Sequence, residues 1–300
     1  MNATTSNYSF RAMGTTCSLQ LFTASQMKSD MVAAMAIAEV ERIEKKYSRY
    51  LDHSVLSDIN RSALQGDEVV LDEETAELID FAFACHQKSD GLFDITSGVL
   101  RRIWDFSGGI VPADHSVAAL LPLIGLENLQ WNKPRLGFSR SGIELDFGGI
   151  GKEYAVDRLA DLILAEGIEH GLIDLGGDFF AVGPRPDGNP WRIGLRDPHC
   201  AGRWREQIAL HGGALATSGD YERYVSSDGK RYCHILNPRT GWPVRGLSSV
   251  TVLAPRCMVA GTLTTIALLK GIDGIKWLDG LGVPHRWVDD RGKGGGTLPP

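Results

Sequence analysis

The chain has 300 residues, 43% of them apolar and 23% charged, with a formal net charge of −6. Those are the proportions of an ordinary globular protein with enough material for a full hydrophobic core. The mild negative charge offers no basic face to a phosphate backbone, which argues against nucleic acid as a partner.

No run of about 18 uninterrupted apolar residues is present to cross a bilayer. The opening "MNATTSNYSFRAMGTT" lacks the basic-then-apolar pattern of a secretory signal. Five cysteines (Cys17, Cys85, Cys200, Cys233 and Cys257) are scattered without a CxxC pair. Thiols in that arrangement point to a reducing, cytoplasmic setting and away from zinc or a disulfide framework.

In chain order, "TTCSLQLF" (15–22) alternates polar and apolar residues and predicts a half-buried strand. Residues 28–50 carry Met31, Val32, Met35, Ile37, Val40 and Ile43 at helical spacing. "DEETAELIDFAFACHQKSDG" (72–91) predicts a second amphipathic helix, opened by acidic residues and stopped by Gly91. From about 143 onward strand-like segments dominate: "IELDF", "HGLIDLGG", "WRIGLRD", "EQIALHG", "YERYV" and "SSVTVLA". Helices near 152–166 and 258–269 interrupt them. Short turns such as "RPDGNP" and "SSDG" join the later strands, so the sheet is expected to be largely antiparallel. Regular βαβ alternation is missing, which counts against a Rossmann fold. The expected class is α+β in one compact unit, with the glycine-rich end (286–300) as a flexible tail.

Four segments carry candidate chemistry. "LDFGGIGKEYAVDRLADLILAEG" (145–167) runs from an apolar alternation through glycines into a helix that opens at Lys152. A helix N-terminus with a lysine is a way to hold a phosphate. "GGIGK" has neither Walker A nor GxGxxG spacing, and taken alone it reads first as a plain strand-to-helix turn. "DGLFDITSGVLRRIWDF" (90–106) gathers Phe93, Asp94, Thr96, Gly98 and Trp104 around a turn. Aromatics beside a carboxylate suit a planar heterocycle with N–H donors, or a buried helix start. "DLGGDFFAVG" (174–183) reads as a hairpin or bulge. "ATSGDYERYVSSDGKRYCHILNPRTGWP" (216–243) brings an exposed Asp220 and a lone His234 near turns rich in hydroxyls and backbone N–H groups.

Taken together, these segments resemble the ApbE family, the FAD:protein FMN transferases, from about residue 9 to 271. "FRAMGTT" is similar to the family's Met-Gly-Thr strand, and "YSRYLDHSVLSDIN" to its Ser-x-Tyr…Ser-x-Leu-x-x-x-Asn segment. "GLFDITSGVL" with "IWDF" resembles its Gly-x-Phe-Asp-x-Thr…Leu…Trp segment. "LDFGGIGKEYAVD" resembles its Asp-Leu-Gly-Gly-Ile-Ala-Lys-Gly-Tyr-x-x-Asp core, with Gly151 for Ala and Glu153 for Gly. "IDLGGD", "ATSGDYERY", "HILNPRTGWPV" and "SVTVLAP" follow in family order.

The resemblance implies an ApbE-like, T-fold-like domain over 9–285, with largely antiparallel sheets flanked by helices. It also implies an activity: FAD is split at its pyrophosphate, AMP leaves, and FMN is joined through its phosphate to a Thr or Ser of a target flavoprotein. By position, Met13, Tyr50, Leu92, Phe93, Asp94, Asp146, Lys152 and Leu236 are expected at the FAD site. Lys152 would offset pyrophosphate charge, and Asp146 would accept hydrogen bonds from a flavin or adenine edge. His234 and Asp220 are the expected catalytic side chains.

The family holds Mg²⁺ with an Asp and a Thr at a helix start, helped by oxygens of the Gly-Gly-Ile turn. Here "VAGTLTTIALLKG" puts Gly261 at the Asp position and keeps Thr265. Thr264, Thr265 and the backbone around Gly149 would then hold a weaker site, because Mg²⁺ prefers charged oxygen. Asp220 and Glu153 are the nearest unassigned carboxylates. Two other readings fit the same residues: an FAD-binding protein without catalysis, and an FAD hydrolase giving FMN and AMP.

Overall fold

A computed structural model describes residues 4–227 and 229–299. Strands β1 (Thr4–Ala12) and β2 (Thr15–Thr23) pair antiparallel across a two-residue turn. Met13 and Gly14 both take positive φ there (51° and 71°), the twist that suits so short a hairpin.

Helix α1 (Gln26–Tyr47) begins where the Ser25 side chain accepts from the Lys28 N–H, and it buries Val32, Ala36, Val40 and Ile43 at helical spacing. Helix α2 (Val55–Gln65) is capped by Ser54 and ended by left-handed Gly66. After the short β3 (Val69–Val70), Asp72 caps α3 (Glu73–Lys88) through the Thr75 N–H. Helix α4 (Asp114–Leu120), β4 (Leu129–Asn132) and β5 (Arg135–Phe138) follow, and β3, β5 and β4 form a small side sheet.

Helix α5 (Gly151–Ala165) leads into β6 (His170–Leu175), β7 (Asp178–Val182), β8 (Trp191–Arg196), β9 (Trp204–Leu210) and β10 (Gly213–Gly219). The chain ends with β11 (Tyr224–Ser227), β12 (Lys230–Cys233), β13 (Leu247–Ala254), α6 (Cys257–Leu269), α7 (Asp273–Leu281), β14 (His285–Asp289) and β15 (Gly294–Gly295).

The main sheet has the order β1-β2-β6-β7-β10-β13-β14-β15, with every neighbouring pair antiparallel. Period-two alternation gives it two apolar faces. Ile173, Leu175, Val182, Ala214, Ala216, Val250 and Val252 join the core beneath α1, α5 and α6. Leu172, Phe179, Ala181, Leu215 and Leu253 pack instead with Trp191, Ile193, Ile208 and Leu210 of the β8–β9 hairpin. This is the α+β class that the short turns predict, and among the described residues no helix is long and apolar enough to cross a membrane.

Several local expectations change. "IELDF" is not a ladder strand: it runs extended with one isolated parallel bridge from Glu144 to Ser97. The Asn60 amide takes a partner strand's place, accepting from Leu145 N–H (2.7 Å) and donating to Leu145 C=O (3.0 Å). A single side chain thus satisfies both backbone groups, a possibility that alternation alone does not reveal. In "YERYV" the strand begins only at Tyr224. The turn expected at "SSDG" includes Asp228, which lies outside the described residues.

The end of the chain is not a loose tail. β14 pairs with β13, β15 returns along β14, and Leu298 is buried. Glycine serves close approach there, because a Cβ at Gly295 would meet the Trp287 indole at 2.8 Å.

Candidate active site

A cavity of about 190 Å³ opens where the loop after α3, the glycine turn into α5, the end of β10 and residues 234–236 converge. Gly149 lets the turn lie on an aromatic wall, since a Cβ there would meet the Phe93 ring at 3.2 Å. The N-terminus of α5 has no side-chain cap, and Gly148, Gly149, Lys152 and Glu153 around it all line the cavity. The Phe147 carbonyl takes the Gly151 N–H (2.7 Å), and the helix start still carries positive potential. The neighbouring α6, in contrast, is closed: Asp157 of α5 accepts from the Cys257 and Met258 N–H groups (2.7 and 3.0 Å).

Lys152 does not stand free. Its ammonium meets Asp178, an acid on the inward face of β7 with a nearly fully buried side chain. Burial disfavours the ammonium, but the charges of Asp178 and Glu153 outweigh it and hold the lysine above its ordinary pKa. Glu153 is itself 7% exposed, and its Oε2 has no hydrogen-bond partner. Burial, reinforced by the Asp178 charge, pushes its carboxyl well above the usual range.

In the same turn, Asp146 Oδ1 accepts from the Gly148 N–H (2.8 Å), while Oδ2 meets Arg49 at 2.9 Å and Arg101 at 4.0 Å. Arg49 also binds Glu144. Asp146 is therefore already engaged by guanidinium groups before any ring edge arrives. Asp94 is equally committed: Oδ1 accepts from the Thr96 N–H and hydroxyl (2.8 and 2.5 Å), and Oδ2 lies 3.4 Å from His86 Nε2.

The Arg223 carbonyl lies 3.0 Å from the His234 backbone N–H and 3.2 Å from Nδ1. A carbonyl only accepts, so Nδ1 carries the hydrogen and Nε2 is left as the basic nitrogen. Burial first, then the Arg101 and Arg223 charges, push the imidazole down to about 4. It is neutral near pH 7, rather than poised close to neutrality.

Of the residues expected at the site, Leu92, Phe93, Asp94, Asp146, Gly149, Lys152, His234, Leu236 and Thr265 line one cavity. Met13, Tyr50 and Asp220 do not. Met13 sits in the β1–β2 turn, whose Gly14 lies near Arg223. Tyr50 is 81% exposed, with the Arg49 guanidinium 6.0 Å from its ring centroid. Asp220, expected to be exposed, is half-buried and turned away to Ser248 (3.2 Å) and Arg231 (3.4 Å). Trp104 is also withdrawn, 2% exposed and stacked on Phe106 with its indole N–H on the Gly241 carbonyl.

Sequence reasoning passes over Arg101, Asp178 and Glu222, all three inside segments it singles out. For Asp178 a signal exists: it shares the inward face of β7 with Phe180 and Val182, where a lone acid requires a partner.

The departure at Gly261 has a structural counterpart. A Cβ built there would lie 2.4 Å from Glu153 Cγ and 2.9 Å from its Oε1. The Glu153 side chain fills the space that a residue-261 side chain would need. Gly261→Asp in this background therefore requires the Glu153 side chain to move aside. Gly261→Ala is expected to cost about 1–3 kcal/mol through overpacking. The same change in a Glu153→Gly background should cost far less, so thermal melts of the four proteins should be strongly non-additive. Additive effects would mean that the two positions do not compete for space.

The sequence profile of the ApbE family matches residues 13–285. The chain belongs to the ApbE family. It is 32% identical over 238 residues to the FAD:protein FMN transferase of Vibrio cholerae, covering 77% of this chain and 71% of that one. A Klebsiella pneumoniae protein of the same name is 30% identical over 273 residues, or 89% of this chain and 83% of that one. The crystal structure of the ApbE protein of Thermotoga maritima superposes with a TM-score of 0.89 at 32% identity, covering 98% of this chain and 97% of its own. The flavin transferase ApbE of Vibrio cholerae superposes with a TM-score of 0.88, covering 98% and 97%. The matched span contains every residue that lines the cavity.

Proposed function

We propose that this chain is an FAD:protein FMN transferase, moving FMN from FAD to a Thr or Ser hydroxyl of a target flavoprotein and releasing AMP. One observation carries the reading beyond kinship: an uncapped helix N-terminus with Lys152 opens onto the same cavity as the free Nε2 of a neutral His234. Anion-holding and proton-accepting groups therefore face one space.

In this reading the pyrophosphate lies against the start of α5, Lys152 and Arg101, while Leu92, Phe93 and Leu236 supply apolar wall for a ring. His234 Nε2 takes the proton of the acceptor hydroxyl as its oxygen bonds to the FMN phosphorus. The bond from that phosphorus to the AMP oxygen breaks, and AMP leaves with the electron pair. The five cysteines are unpaired thiols, four of them buried, which supports placing the reaction in a reducing compartment such as the cytoplasm.

The charge balance also supports a cation. Asp94, Asp146, Glu153 and Glu222 line the cavity beside Arg101 and Lys152, so a cation would ease the approach of a pyrophosphate to this acidic lining. Among the described residues no cluster of three His, Cys, Asp or Glu converges to hold a metal. Hydroxyl and backbone oxygens at Thr265 and Gly149 nevertheless suit a hard ion such as Mg²⁺, which would offset phosphate charge when bound.

Incubation with FAD, with and without Mg²⁺ and an acceptor flavoprotein, followed by nucleotide separation, tests the proposal. AMP release that requires the acceptor is expected. AMP release without it would mean hydrolysis, and intact bound FAD would mean a binder.

A further inference from the structure

We propose that Glu153 supplies the charged ligand of the divalent-cation site, reaching from α5 into the space that Gly261 leaves open on α6. The inference rests on the transfer reading above and assigns to this chain a ligand at a different position, on a different helix, from the one its family pattern supplies.

The first support is volume. A Cβ at residue 261 would fall 2.4 Å from Glu153 Cγ, 2.9 Å from its Oε1 and 3.0 Å from its Cδ. The carboxyl group therefore sits next to where a short acid on α6 would begin, having come from the opposite helix. Gly151–Ala165 and Cys257–Leu269 are neighbouring helices in the core, which makes such an exchange geometrically short.

The second is the state of that carboxylate. Glu153 is more than nine-tenths buried, lines the cavity, and leaves Oε2 without a hydrogen-bond partner. An orphaned buried carboxylate oxygen is costly and is seldom kept without a cation or proton to meet it. Lys152 does not fully answer it, because that ammonium is held by Asp178. Two acids thus face one lysine.

The third is the donor set. Thr265 lines the same cavity, and its hydroxyl lies 3.4 Å from Ser218 Oγ, which itself pairs with Thr264 at 2.7 Å. Carboxylate and hydroxyl oxygens are the donors that Mg²⁺ and Mn²⁺ select, whereas thiols and imidazoles would favour softer ions.

The test is Mn²⁺ binding to the purified full-length protein, followed by electron paramagnetic resonance with FAD absent and then present. FAD affinity is measured in parallel. Glu153→Gln keeps the shape and removes the charge, and it is expected to weaken Mn²⁺ binding about tenfold or more, as for loss of one charged interaction. The exchange variant Glu153→Gly with Gly261→Asp returns a carboxylate from the other helix and should recover binding to within about threefold of wild type.

Unchanged Mn²⁺ affinity in Glu153→Gln, or no recovery in the exchange variant once circular dichroism shows it folded, overturns the proposal. Wild type that binds no Mn²⁺ in either state does so too. If Mn²⁺ results fail while FAD still binds and AMP is released, only the ligand assignment falls. If FAD does not bind, the transfer reading falls with it.

Discussion

Lys152→Ala is expected to destabilise the protein by about 3 kcal/mol near neutral pH, the cost of stranding buried charge when one partner of an ion pair is removed. The lysine's partner, Asp178, is buried on β7, and Glu153 lies within its field. Without the ammonium, two carboxyls face each other in a low-dielectric pocket. The lower end of the usual range applies because Lys152 itself opens onto the cavity.

The pH dependence follows from the direction of the Glu153 shift. Its folded pKa is raised above the unfolded value, so its contribution to stability is present below the unfolded pKa and is lost as pH rises through the folded one. Removing Lys152, which opposes that shift, widens the window. The variant should therefore melt closest to wild type near pH 5 and fall progressively behind toward about pH 8. FAD affinity should fall as well, by about 1–3 kcal/mol, because a charge-assisted contact to phosphate is lost. A variant as stable as wild type at both pH values would show that Asp178 and Glu153 share a proton without needing the lysine.

His234→Ala is expected to slow transfer by about 10²–10⁴-fold while FAD affinity stays within about threefold, as for loss of a general base. The histidine's pKa, pushed down to about 4 by burial and by Arg101 and Arg223, sets the pH signature. In the free enzyme the imidazole is neutral from pH 8 to well below 6, so kcat/KM should lack a histidine limb near 6.5. Bound pyrophosphate offsets the arginine charges and raises the pKa, so any limb in kcat should lie higher than the one in kcat/KM. A fall in FAD affinity equal to the fall in rate would make His234 a structural residue, bonded through Nδ1 to the Arg223 carbonyl.

Local patterns determined a large part of this protein. Amphipathic spacing and an acidic opening determined α1 and α3 to within a few residues, because hydrogen bonds and burial in a helix depend on near neighbours. Period-two runs and short turns likewise gave an antiparallel sheet. Most of the residues that the ordered motifs selected line the cavity, from Leu92, Phe93 and Asp94 through Asp146 and Lys152 to His234 and Thr265.

Tertiary structure decided what depends on groups far apart in sequence. "IELDF" alternates like a strand but is held by the Asn60 side chain, and the glycines near the end of the chain serve a close approach to Trp287 rather than mobility. Asp220 sits within the "ATSGDYERY" motif yet faces Ser248 and Arg231. Lys152 looked like a free cation until Asp178 arrived from another strand. The clearest case is Glu153 with Gly261. Each reads alone as a small departure on its own helix, and only their packing shows that one fills the space the other vacates. Close packing acts in three dimensions and leaves no periodic trace along the chain.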